Sequence, residues 1–262
     1  MAGNIRHAVV LGGATGIGSG IVRALAVRGY HVHLCDIDED GGRALAAELG
    51  PDRASFHRAD VTSNESLATV EQAIRASAPA IDLVFANAGA ISLKPFLQTT
   101  DDDWQWLMGI NFFGTVKSLR AFLPGLVAQG SGRVVVTSSV AALRELPMPG
   151  QSMYMASKAA QFGLCNALQA ELAGTGVKLS IIFPGAVRTS LRDKSEALRP
   201  GVVQVAVPAA VAGPGYIEPE AAGERIMAMI EAGRTYISTH PGEGPLVRDT
   251  QDSVQTAFDE DF

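Results

Sequence analysis

Cysteine is almost missing from the chain. Cys35 and Cys165 stand 130 positions apart, and neither has a second cysteine or a histidine at ligand spacing. Neither a disulfide framework nor a zinc site is suggested. Histidine is also thin: His31 and His33 share one face of a strand, while His7, His57 and His240 are scattered along the sequence, so no metal site is expected. No segment approaches the ~18 uninterrupted apolar residues of a membrane span. The most apolar stretch, Val202 to Ala212, is short and carries Pro208. Basic clusters are absent: Lys plus Arg is 21 against 27 for Asp plus Glu, a net charge of −6, so nucleic acid is not an expected partner. The strand pattern begins at His7, which leaves no room for an apolar export segment, and the closing Asp-Glu-Asp-Phe is no lipidation signal. A cytoplasmic protein that does not enter a membrane is the expectation.

What is present fits a globular protein. With 262 residues, 47% hydrophobic and 18% charged, the composition excludes disorder and fibre. Area scaling allows burial of ~70% of the surface, enough for one large domain. Short apolar runs at 7–11, 31–36, 53–58, 81–86, 133–138, 178–183 and 235–239 alternate with longer amphipathic stretches. Near-continuous runs such as Val134-Val135-Val136 suit strands covered on both faces. The predicted fold is α/β: a Rossmann-type doubly wound parallel sheet of about seven strands with helices on both faces, in a single domain over 1–262.

Helix punctuation supports this order. Thr62-x-x-Glu65 reads as a capping box, Gly50-Pro51 closes the helix containing Leu45 and Leu49, and Pro219 opens another. Residues 190–217 show no sustained period and read as a loop or a loop with broken helices, predicted to be a substrate lid. Only the tail, 241–262, looks separable.

The first strand runs into Gly12-Gly13-Ala14-Thr15-Gly16-Ile17-Gly18, followed by a helix. Glycine lets a pyrophosphate approach the backbone closely, and the helix start offers unpaired N–H groups and a partial positive charge. The Gly-Lys-Ser/Thr ending of nucleoside-triphosphate loops is absent. Asp36 closes the second strand, 18 residues beyond Gly18, near the position of the carboxylate that accepts adenosine ribose hydroxyls. Its charge would repel a 2′-phosphate, and neither Thr15 nor Ile37 supplies a compensating cation, so NAD is the expected cofactor.

Tyr154 and Lys158 lie four apart in a helical stretch and share a face. A phenol is too weakly acidic to act as a base near neutrality, but an adjacent ammonium and a cationic nicotinamide ring both favour the phenolate. Ser139 stands 15 residues earlier, at the end of the fifth strand, where its hydroxyl could hold a substrate oxygen. Ser138 should point the other way, so one of the two serines is structural.

Together these residues resemble the short-chain dehydrogenase/reductase family over about 6–239. Gly12, Gly16 and Gly18 match its glycine turn, and Asp60-Val61 its adenine contact. Asn87-Ala88-Gly89 matches its motif after the fourth strand, and Ser139, Tyr154 and Lys158 match its catalytic core. Pro184-Gly185-x-Val187-x-Thr189 matches its nicotinamide clamp, and Asn111 its fourth catalytic residue, whose implied role is to hold a water linking the lysine to solvent. Two departures are visible: Leu11 replaces the usual threonine, and the Ser139–Tyr154 gap is long, which is expected to reshape the pocket through Leu143, Leu146, Pro147 and Met148. The resemblance implies a homotetramer or homodimer and oxidation of a secondary alcohol to a ketone. The aliphatic 143–148 and 190–217 segments suggest a hydrophobic or aromatic substrate. An NADPH-dependent carbonyl reductase and a non-catalytic NAD-sensing protein stay open as alternatives.

Overall fold

The computed structural model describes residues 5–144, 148–205 and 215–259. The elements run β1 (Arg6–Leu11), α1 (Gly16–Val27), β2 (Tyr30–Asp36), α2 (Glu39–Leu49), β3 (Ala54–Arg58), α3 (Asn64–Ser77), β4 (Leu83–Ala86), α4 (Asp101–Met108) and α5 (Gly114–Gln129). They continue with β5 (Arg133–Thr137), α6 (Ser152–Glu171), β6 (Lys178–Phe183), α7 (Leu191–Leu198), α8 (Pro219–Glu231), β7 (Tyr236–Ser238) and α9 (Gly244–Asp259). The strands form one parallel sheet in the order β3-β2-β1-β4-β5-β6-β7. Every predicted strand is present within two residues of its expected ends.

Two apolar layers cover the sheet. One face buries Val9, Leu11, Val84, Val134 and Ile181 against Leu67 and Ile74 of α3 and Phe122 and Leu126 of α5. The other buries Val10, Leu34, Phe85 and Ile182 against Ile21 and Leu25 of α1 and Ile226 and Met227 of α8. Alternate residues of each strand serve opposite layers, which is why the strands read as continuous apolar runs. Helices α1 and α8 touch backbone to backbone: a Cβ on Gly20 would lie 1.8 Å from the Pro219 carbonyl oxygen, and one on Gly223 would lie 2.1 Å from that of Gly20.

Two local readings are corrected. The N-cap of α3 is Ser63, whose hydroxyl accepts the Ser66 N–H at 3.2 Å; Thr62 instead gives its N–H and hydroxyl to Asp60. The capping box belongs to α4, where Thr100 and Asp103 bond reciprocally. The histidines are not scattered in space. Parallel register brings His7, His31, His33 and His57 onto one patch of β1, β2 and β3, with His7 Nδ1 3.2 Å from His33 Nε2 and His33 Nδ1 3.3 Å from His57 Nε2. His31 Nε2 reaches the same group through the Ser55 hydroxyl at 3.1 Å. Burial, followed by the neighbouring rings, pulls His33 down to about 3, and burial also lowers His7 and His57. Asp82 pulls weakly the other way on His7. Among the described residues, no group of three or more His, Cys, Asp or Glu is arranged to hold a metal ion.

Candidate active site

A cleft of about 1230 Å³ opens along the carboxyl ends of the strands, where the chain reverses direction across the sheet between β1 and β4. Strand order lays out its contents: Asp60 past β3, Asp36 at the end of β2, the glycine turn after β1, Asn87 after β4, Ser139 after β5 and Pro184 after β6. All the predicted site residues line this cleft except Gly18 and Asn111, which stand one layer behind it.

The glycine turn is fixed by backbone contact. Gly12 has φ +80°, and a Cβ there would meet the Ala88 backbone nitrogen at 2.6 Å. Gly18 packs so tightly beneath Gly12 that a Cβ would lie 1.9 Å from the Gly12 oxygen. Asn87 Nδ2 donates to that same oxygen at 2.7 Å. Thr15, the N-cap of α1, makes no side-chain cap bond, so the first amides of α1 are left to face the cleft. The Asp36 carboxylate accepts the Ala14 N–H at 2.9 Å and the Asp38 N–H at 2.9 Å, which hold it against the turn. A turn with no room for side chains, an uncapped helix start and a carboxylate one strand away together fit a dinucleotide. Asp60 has a second duty, since its Oδ1 accepts from both Thr62 groups and shapes the turn into α3.

Ser139, Tyr154 and Lys158 come together from the β5 end and the first turns of α6. Tyr154 and Ser139 line the cleft together, the Ser139 hydroxyl favouring the ionised phenol, and Lys158 Nζ lies 5.8 Å from the Tyr154 ring centre. Ser138 is the structural serine: its hydroxyl donates to the Lys158 carbonyl at 2.9 Å. The ionisation of the pair departs from the sequence expectation. Burial pushes the Tyr154 phenol up, opposed by the Ser139 hydrogen bond, and burial pulls Lys158 down to about 7. Lys158 Nζ donates to the Thr137 carbonyl at 2.9 Å, an uncharged partner that does not restore the lost hydration. The protein alone therefore favours neutral phenol and weakened ammonium, and an added positive charge in the cleft is what would tilt Tyr154 toward phenolate.

Asn111 lies in a π turn, Gly109–Phe113, between α4 and α5. Its carboxamide accepts the Ala90 N–H at 2.8 Å and donates to the Ala90 carbonyl at 3.0 Å and the Ser157 hydroxyl at 2.9 Å. Its main-chain carbonyl accepts from the Thr115 hydroxyl at 2.8 Å and from Gln161 Nε2 at 2.9 Å. Two side-chain donors thus converge on this one carbonyl oxygen. Gln161 is fully buried one turn beyond Lys158, and its polarity amid apolar neighbours was the available sequence signal.

The substrate end is assembled from distant segments. The 190–217 stretch contains helix α7, and Ser195 Oγ accepts the Ile91 N–H at 3.0 Å. Lys194 pairs with Asp38 across the cleft mouth, and Arg199 reaches Asp103 at 2.8 Å, where Lys94 also binds at 2.7 Å. Bridges join Leu93 to Val203 and Val187 to Ile217. Leu143 packs against the core rather than into the cleft, because its short 3₁₀ turn, Val140–Ala142, directs it there; Met148 and Arg144 do line the cleft. Leu146, Pro147 and 206–214 lie outside the described residues. The tail does not separate at residue 241: the turn Pro241–Glu243 inserts Glu243 into the cleft beside Arg144.

The short chain dehydrogenase family profile matches residues 6–199. The chain belongs to that family. Among relatives of this short-chain dehydrogenase, oxidoreductase UcpA of Salmonella typhimurium is 34% identical over 190 residues, 72% of each chain. D-threitol dehydrogenase of Mycolicibacterium smegmatis is 34% identical over 191 residues, again 72% of each. A short-chain dehydrogenase/reductase from Burkholderia phymatum, solved in complex with NAD, superimposes with a TM-score of 0.87 at 25% identity, covering 97% of this chain and 95% of that one. The short-chain dehydrogenase described here is an NAD(P)-dependent oxidoreductase acting on alcohols or ketones. No helix among its described residues is long and apolar enough to cross a membrane.

Proposed function

We propose that this enzyme interconverts a secondary alcohol and a ketone with NAD, and that Tyr154 is the group that exchanges the hydroxyl proton. The observation that carries the reading is that Ser139, Tyr154 and Lys158 line one cleft, with Lys158 Nζ 5.8 Å from the Tyr154 ring centre, and that the other half of this cleft fits a dinucleotide. When bound, the nicotinamide supplies a two-electron hydride acceptor and a positive charge. Ser139 orients the substrate oxygen, and Tyr154 as phenolate takes the O–H proton; in ketone reduction Tyr154 returns the proton. Lys158 would hold the nicotinamide ribose, and its residual charge favours the phenolate. The Pro184–Thr189 segment, which lines the cleft, would clamp the carboxamide. Asn111 is a positioning residue: it ties the loop at Ala90 to Ser157, and its carbonyl is spoken for by Thr115 and Gln161.

Asp36, fixed by two backbone N–H groups, favours NAD over NADP. Ile91, Leu93, Trp106 and Met148 offer apolar surface for a hydrophobic alcohol, with α7 as lid. A cytoplasmic homodimer or homotetramer belongs to the same reading, and Phe113, half exposed at the start of α5, is a ready contact. The deciding experiment is Tyr154→Phe: turnover should fall by about 10³-fold or more while dinucleotide binding, read by calorimetry, persists. Surviving turnover would remove Tyr154 from its role.

A further inference from the structure

Past the reacting centre the cleft ends in a charged pair. Arg144 follows β5 and Glu243 follows β7, and they bring Nε and Oε2 to 2.8 Å with side chains only 14% and 8% exposed. Because β7 is the sheet edge opposite β3, Glu243 stands at the end of the cleft farthest from Asp60 and the adenosine side. Two desolvated charges are a poor way to stabilise a wall, since apolar residues of similar volume do as well or better. Much of the cleft lining is apolar, with Ile91, Leu93, Trp106 and Met148 among it, which makes the pair stand out as a recognition element. Its charges cancel. A substrate carboxylate would meet Glu243 and an ammonium would meet Arg144, whereas a hydroxyl can donate to the carboxylate and accept from the guanidinium at once.

We propose that Arg144 and Glu243 form a second, hydroxyl-reading contact, so that the substrate class is an alcohol with an apolar body and another hydroxyl distant from the oxidised carbon. This rests on the alcohol-oxidising reading above. The test uses the full chain with NAD and two matched series of straight-chain secondary alcohols, about four to eight carbons long, one plain and one carrying an extra hydroxyl at the far end. At one chain length the hydroxylated member should exceed its plain partner in kcat/KM by at least about 10-fold. That ratio should fall toward one in Glu243→Gln and in Arg144→Met. A wild-type enzyme that favours the plain alcohol at every length overturns the proposal, as does a preference that both variants keep. Should Arg144→Met fail to fold, the wild-type ratio and Glu243→Gln still decide. Failure of the underlying reading looks different: neither series would reduce the cofactor.

Discussion

The two halves of the cleft are held by different forces. Around the glycine turn, contacts are main chain on main chain: Gly12 against Ala88, Gly18 under Gly12, and Asp36 held by two amides. At the substrate end, segments far apart in sequence are joined by charged side chains: Lys194 to Asp38, Lys94 and Arg199 to Asp103, and Arg144 to Glu243. Backbone packing leaves few tolerated substitutions and fixes one shape. Charged ties can be exchanged or lengthened without disturbing the sheet, so the same frame can serve different substrates.

Breaking the busiest charged tie should cost most. Asp103 is buried, and although burial opposes its ionisation, Lys94, the Thr100 amide and Arg199 hold its carboxyl well below the usual range. Asp103→Ala leaves Lys94 without its buried partner and should destabilise by about 3 kcal/mol or more, measured by urea unfolding. An unchanged midpoint would mean that α7 is held by its apolar contacts alone.

On the other side, Asp36→Ala removes the carboxylate and leaves the Ala14 N–H of the glycine turn without its partner. NADH binding should weaken by about 10- to 100-fold, the worth of hydrogen bonds to a charged group, and NADPH binding should weaken less or improve. Wild-type enzyme that binds NADPH more tightly than NADH would reverse the cofactor assignment.

The smallest effect sharpens the contrast from beneath. His33 titrates near 6.5 when unfolded and is lowered to about 3 in the fold, so the unfolded chain binds the extra proton between those values. Stability is therefore full above pH 6.5 and declines as pH falls, by about 1.4 kcal/mol per unit for this buried ring. His33→Leu should lower the proton uptake on unfolding between pH 6 and 5 by close to one. An unaltered slope would show that the ring charges in place.

Much of the cofactor half was legible because its determinants are contiguous. A glycine turn, a strand-ending Asp36 and Asn87-Ala88-Gly89 are each readable within a few residues. Register was not: only the pairing of His7 with His31 and of Cys35 with His57 reveals that four separated histidines share one patch. Ser63 won the cap from Thr62 because Asp60 claimed the threonine. Arg144 and Glu243 are 99 positions apart, and nothing local announces their meeting. Gln161 was visible as a polar residue beyond Lys158, but its use depends on a carbonyl that a π turn turns toward it.

The glycine-to-glycine crossing of α1 and α8 bears on how the molecule is made. The first helix, which would receive the pyrophosphate, leans on a segment beginning at Pro219. During translation most of the protein must leave the ribosome before that support exists, so the nascent first half would capture coenzyme poorly until the late helix arrives.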